Sequence, residues 1–147
     1  MEAMENVPPF AASLREQVLE RVRTAIEGEG SLAWAYVFGS LGRGEDFRDV
    51  DVAVHAAADH SLAWRDLGRM GRRLAGAIGL PGLQVDVLCI DAFPLPYLAE
   101  ALRDGVVVLD REPVARTQWE GEQTLRWLDF EPTWNEQTSL RRIAGRS

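Results

Sequence analysis

With 147 residues the chain has room for one domain of ordinary size, and it can bury a core without disulfide or metal staples. All 16 basic residues are arginine, which excludes Schiff-base lysine chemistry, a covalent lysyl-adenylate and the lysine-bearing phosphate loop of the large NTPase class. The single Cys89 excludes an internal disulfide, only His55 and His60 remain as imidazole ligands against a structural zinc, and a net charge of −7 argues against long nucleic acid as a partner.

Met1 to Phe10 carries acids and two prolines where a secretory leader needs a basic stretch and an apolar run. No apolar stretch approaches membrane-spanning length, so a soluble, cytoplasmic protein is expected. Leu14, Val18, Val22 and Ile26 recur every four residues and predict an amphipathic helix that stops at Gly28 to Gly30. Ala33 to Phe38 predicts a buried strand ending in a tight turn at Gly39-Ser40, followed by a loop over residues 39 to 48. Asp49 to Val54 alternates acidic and apolar side chains before turning wholly apolar, the pattern of a strand emerging from a polar cleft.

Ser61 is expected to cap a helix reaching about Ile78, with Leu67, Met70, Leu74 and Ile78 inward. Leu83 to Ile90 predicts a third strand with Val85, Val87 and Cys89 on one face and Gln84, Asp86 and Leu88 on the other. Pro94 and Pro96 introduce a helix through about Arg103, and Val106 to Leu109 a short fourth strand. A last helix is expected from Pro113 to about Leu128, then a tail holding Pro132 and Trp134. No repeat, low-complexity run or linker divides the chain.

Chemistry concentrates in Gly39-Ser40-Leu41-Gly42-Arg43-Gly44, then Asp49-Val50-Asp51, then a lone Asp86. Strand residues two apart share a face, so Asp49 and Asp51 suit hard cations, and Asp86 joins them if its strand pairs alongside. Three gathered carboxylates repel one another unless a divalent ion offsets the charge, which implies Mg²⁺ or Mn²⁺, with Asp86 the natural base for an incoming hydroxyl. Glycines at 39 and 44 let backbone N–H groups approach a nucleotide triphosphate, Ser40 adds a donor, and Arg43 adds a permanently charged fork.

Each piece alone has a plainer reading. Gly-Ser after a strand is usually a turn, Asp-x-Asp a solvated edge, and Asp86 a solvent-facing position on a half-covered sheet. Their order along one chain is what favours a site. Ser40 lacks the flanking glycines of a nucleophile elbow, so a serine hydrolase is rejected. His55 and His60 read as ordinary surface histidines. Arg65, Arg69, Arg72 and Arg73 read as a solvated helix face, with an acidic partner or nucleic acid as the alternative. Trp119, Trp127 and Trp134 either finish the core or anchor an interface.

Val37-Phe38-Gly39-Ser40-Leu41-Gly42-Arg43-Gly44 with Asp49-Val50-Asp51-Val52-Ala53-Val54 resembles the minimal nucleotidyltransferases of the DNA polymerase β superfamily. Val85 to Leu88, Asp91 to Pro96, Glu100 to Val106 and Arg126 to Phe130 are similar to their MntA-like antitoxin branch, so the likeness spans most of residues 10 to 132. The segment between Ser40 and Asp49 is shorter than the family's usual spacing, and Arg48 stands where a small hydroxyl residue is usual.

The resemblance implies a Mg²⁺-dependent adenylyltransferase that moves AMP from ATP to a tyrosine of a HEPN-type RNase toxin. Gly39, Ser40, Arg43 and Gly44 would hold the nucleotide, and Asp49, Asp51 and Asp86 would serve as metal ligands and catalytic residues. The alternatives are a non-catalytic antitoxin that neutralises by binding, and an enzyme modifying a small hydroxyl compound such as an aminoglycoside, for which the chain has no evident second domain to enclose the ligand. The expected architecture is α/β (α+β): a small, mixed, twisted, nucleotidyltransferase-like sheet with helices mainly on one face. Residues 1–132 would form the nucleotidyltransferase domain, and residues 133–147 a tail that is either partner-contacting or disordered.

Overall fold

The computed structural model describes residues 8–144. Residues 1–7, on which the reading of the N-terminus rests, and 145–147, the end of the expected tail, lie outside the described residues. A short 3₁₀ turn leads into α1 (Arg15–Ile26), followed by β1 (Leu32–Phe38), the single-turn α2 (Gly39–Gly42), β2 (Asp49–Ala56), α3 (Trp64–Ile78), β3 (Gln84–Cys89), α4 (Leu95–Asp104), β4 (Val106–Asp110) and α5 (Pro113–Ala144). The four strands form one mixed sheet in the order β3-β2-β1-β4, with β1 antiparallel to β2 and β4, and β2 parallel to β3.

The larger core lies where α1 and α3 pack on one face of the sheet. Val18, Leu19, Val22 and Ile26 from α1 and Met70, Leu74 and Ile78 from α3 meet Val37, Val50, Val52 and Val54. These are the residues whose four-residue spacing marks the helices in sequence, joined by Leu19. Gly71 permits the close approach of α3, since a side chain there would stand 2.6 Å from the Val85 carbonyl oxygen. The opposite face carries a smaller cluster of Trp34, Tyr36, Ala53, Ile90 and Leu98, against which Trp119 packs. Tyr36 donates to Glu120 at 2.5 Å and Arg116 reaches Glu120 and Asp110 at 2.7 and 3.0 Å, which ties the start of α5 to β1 and β4. Burial, then the Glu120 carboxylate, pushes the Tyr36 phenol well above its ordinary value.

Two helix boundaries differ from expectation, and one helix face gains a second role. α3 begins at Trp64 rather than after Ser61, and Asp66 closes its first turn by accepting from the Ala63 N–H at 2.9 Å. Arg65, Arg69, Arg72 and Arg73 are all exposed, as a solvated helix face requires, but Arg69 and Arg73 are also held in ion pairs. Both reach back to Glu29, at 3.1 and 2.6 Å, whose side chain is only 6% exposed in the turn before β1. Arg111 donates to the carbonyls of Glu27, Glu29 and Leu32 and secures the same turn.

The last helix, predicted to end near Leu128, runs on to Ala144. Pro132 deletes a single backbone bond, the one its missing N–H would give to the Leu128 carbonyl. The aromatic stripe continues across it, with Trp127–Phe130 and Phe130–Trp134 ring centroids 6.1 and 6.3 Å apart. Among the described residues no helix is long and apolar enough to cross a membrane.

Candidate active site

β1 delivers the chain to Gly39, whose φ of +71° turns it into α2. A side chain at this point would be strained and would also stand 2.5 Å from Asp51 Oδ2, so the glycine is what lets the turn lie against the carboxylate. Gly39→Ala is therefore expected to lower stability by about 1–2 kcal/mol and to push Asp51 out of place. Urea unfolding reads the first effect, and the change in its pH dependence as Asp51 leaves Asp86 and Asp49 reads the second.

Val50, Val52 and Val54 sink fully into the larger core, which forces Asp49 and Asp51 onto the opposite face of β2. The parallel register sets Asp51 directly opposite Asp86 on β3, about 4.8 Å away at the backbone. The pairing on which the third acid depends is thus present. Asp49 and Asp86 are exposed and Asp51 is half-buried. Burial, then Asp86 and then Asp49, hold the Asp51 carboxyl above the usual aspartate range, while Arg43 pulls the other way.

The three acids share a face without forming a tight set: among the described residues, no group of three or more His, Cys, Asp or Glu is close enough to hold a metal ion. The fit to a hard divalent cation is one of donor chemistry and placement. Asp49 and Asp51 line an open cavity with Asp86 beside them, and the raised Asp51 pKa, due first to burial and then to Asp86 and Asp49, registers charge that a cation would offset.

Two cavities meet at Asp51. One of about 320 Å³ is lined by Pro9, Ser40, Asp46, Arg48, Asp49 and Asp51. The other, of about 210 Å³, is lined by Phe38, Gly39, Arg43 and Asp51 and, from α4, by Tyr97, Glu100, Ala101 and Asp104. Arg43 lies across the loop, with Nε 3.2 Å from Glu45 and a terminal nitrogen 3.3 Å from Ser40 Oγ. Asp104 and Glu100 act on it from farther away. Of the predicted site residues, Gly39, Ser40, Arg43, Asp49 and Asp51 line these cavities and Asp86 stands beside Asp51. Gly44 lines neither; with φ +78° it makes the turn that follows α2.

Sequence reasoning missed the α4 wall, although the spacing of Tyr97, Glu100, Ala101 and Asp104 marks one side of a helix. It also missed the strap that holds the loop. Phe10 pairs with Phe47 through backbone bonds of 2.7 and 3.0 Å, their rings stack at 5.6 Å, and the Ala12 N–H donates to Asp46 at 2.8 Å. His55 is not an ordinary surface histidine. As the register partner of Trp34 it stacks on that indole at 4.0 Å, and it contacts Asp91 at 2.9 Å. His60 is exposed.

No family model matches the chain, and no curated protein matches it. Solved structures do. A Shewanella oneidensis tri-AMPylated HEPN toxin in complex with its MNT antitoxin matches with a TM-score of 0.65 and 14% identity, over 88% of this chain and 98% of the other. A toxin–antitoxin structure with AMP-PNP gives 0.61 and 17%, over 90% and 98%. The toxin–antitoxin MntA–HepT gives 0.63 and 14%, over 88% and 98%. The chain has the MNT nucleotidyltransferase fold. At these identities the likeness establishes architecture, and the chemistry must be argued from the residues of the MNT-like cleft itself.

Proposed function

We propose that the chain is an antitoxin and a nucleotidyltransferase that moves AMP from ATP to a tyrosine hydroxyl of a HEPN-type toxin. The observation that carries this reading is the Asp51–Asp86 register pair beside Asp49 and the Gly39-Ser40 turn, on the fold of a protein that accompanies a tri-AMPylated HEPN toxin. The AMP-PNP complex of another structure with this fold supports ATP as the donor.

Asp49, Asp51 and Asp86 would hold Mg²⁺, which supplies charge neutralisation at the phosphates when bound. Ser40 and the backbone N–H groups of the Gly39 turn face the triphosphate, and Arg43 exchanges Glu45 for a phosphate oxygen. The tyrosine oxygen attacks the α-phosphorus and its proton passes to the Asp86 carboxylate. The bond from the α-phosphorus to the α,β-bridging oxygen breaks, and pyrophosphate leaves with the electron pair. The net charge of −7 suits a basic partner.

Intact mass of the HEPN-type partner after incubation with ATP and Mg²⁺ tests the reading. One or more added AMP units, absent with Asp51→Ala, are expected. The dispersed state of the three acids favours one competing reading, an antitoxin that works by binding alone. Inhibition of the toxin with no change in its mass would establish that reading instead.

A further inference from the structure

Beyond Glu120, α5 leaves the sheet and α4 is the main element packed against it. Gln123, Trp127, Phe130, Trp134 and Thr138 lie on one side of this stretch and are only half-covered. Between them and α4 runs an apolar groove. One cavity of about 640 Å³ holds Leu98, Leu102, Trp127 and Leu128. A second of about 590 Å³ holds Tyr97 and Phe130, and the two share Leu95, Pro96, Glu100 and Trp134.

Tyr97 and Glu100 line the groove's second cavity and also the cavity that contains Asp51, Gly39 and Arg43, so the groove adjoins the proposed cleft. Its rim carries Glu100 and Glu131, while its basic rim residue, Arg103, is paired with Asp104 at 3.1 Å. A second copy of a chain with net charge −7 would bring like charge to an acidic rim, so self-association is disfavoured and a basic partner fits.

We propose that this groove receives an amphipathic helix, apolar on one face and basic along its flanks, from the protein that accepts the nucleotidyl group, with Tyr97 and Glu100 marking where the acceptor hydroxyl passes into the Asp51 cavity. The proposal rests on the nucleotidyl-transfer reading for the identity of the occupant. Trp119 finishes the core, whereas Trp127 and Trp134 are the anchors.

The test uses two fluorescein-labelled, 18-residue helical peptides, one built of leucine and lysine and one of leucine and glutamate, titrated by anisotropy at physiological salt without ATP. The Leu/Lys peptide is expected to bind at least tenfold more tightly than the Leu/Glu peptide. Trp127→Ala with Trp134→Ala, and separately Glu131→Arg, should each weaken it at least tenfold, and Asp51→Asn should not. With the HEPN-type partner as substrate, the tryptophan pair should raise KM for the partner tenfold while KM for ATP holds. Equal binding of both peptides, or indifference to the groove variants with helicity preserved, overturns the proposal. So does sedimentation showing a wild-type dimer that Trp134→Arg dissociates. Absence of AMP transfer in the wild-type chain would sink the catalytic reading alone, since the anisotropy arm still scores the groove.

Discussion

Asp51→Asn is expected to cut AMP transfer by about 10³-fold or more while making the ligand-free chain more stable. The first half follows from position: Asp51 is where the two cavities meet, and losing a carboxylate that would hold the Mg²⁺ needed to neutralise phosphate charge removes roughly 4 kcal/mol of transition-state stabilisation. The second half follows from its raised pKa, caused first by burial and then by Asp86 and Asp49. A carboxyl that binds its proton more tightly when folded contributes stability below its unfolded value, and loses that contribution as pH rises through its folded value. At neutral pH the carboxylate therefore weakens the fold, and asparagine relieves it. Thermal unfolding of both forms at pH 5 and pH 8, beside the intact mass of the partner, checks the pair of effects. The gain in melting temperature should be larger at pH 8. Mg²⁺ with ATP should stabilise the wild-type chain more at pH 8 than at pH 5 and should barely move Asp51→Asn. A variant less stable than wild type at pH 8 would contradict the burial and repulsion on which this account depends.

Glu29→Ala is expected to cost about 3 kcal/mol, with a fall in melting temperature of roughly 10 °C, although the residue is remote from the cleft. Its side chain is 6% exposed, whereas Arg69 and Arg73 are 52% and 43% exposed. Removing the acid leaves two cations that can rehydrate, which puts the cost at the lower edge of what breaking a buried pair incurs. The Arg69 bond is the main reason the Glu29 carboxyl stays below its usual range, with burial opposing and Arg73 assisting. The sign is opposite to that of Asp51. This contribution is present above the unfolded pKa of glutamate and is lost as pH falls through the lowered folded value. Urea unfolding at pH 7 and pH 4 should show the gap between wild type and Glu29→Ala narrowing in acid. A gap that is constant with pH would mean that Glu29 acts through packing alone.

The two cases also mark what could be read from the sequence. Helix faces, the four strands and the acids of the cleft were legible because each depends on local periodicity: Val50, Val52 and Val54 bury one side of β2 and so declare where Asp49 and Asp51 face. Pairing was not legible. Whether Asp86 meets Asp51 depends on β3 lying beside β2, a contact between residues far apart in the chain. Glu29 sits between Gly28 and Gly30, where the sequence signals only the end of a helix; the approach of α3 turns it into an ion-pair centre. His55 reads as a surface residue until β1 sets Trp34 beside it. Pro132 signals a stop by local rules, but one missing donor did not break α5.

The parallel pairing of β2 with β3 has a consequence for synthesis. Parallel neighbours need a long connection, and here it runs from Ala56 through α3 to Gln84. A nascent chain that has left the ribosome only as far as α3 carries two of the three acids and no opposing strand. On the proposed reading the three-acid site is complete only once that crossover has closed, so an unfinished polypeptide is expected to transfer no AMP.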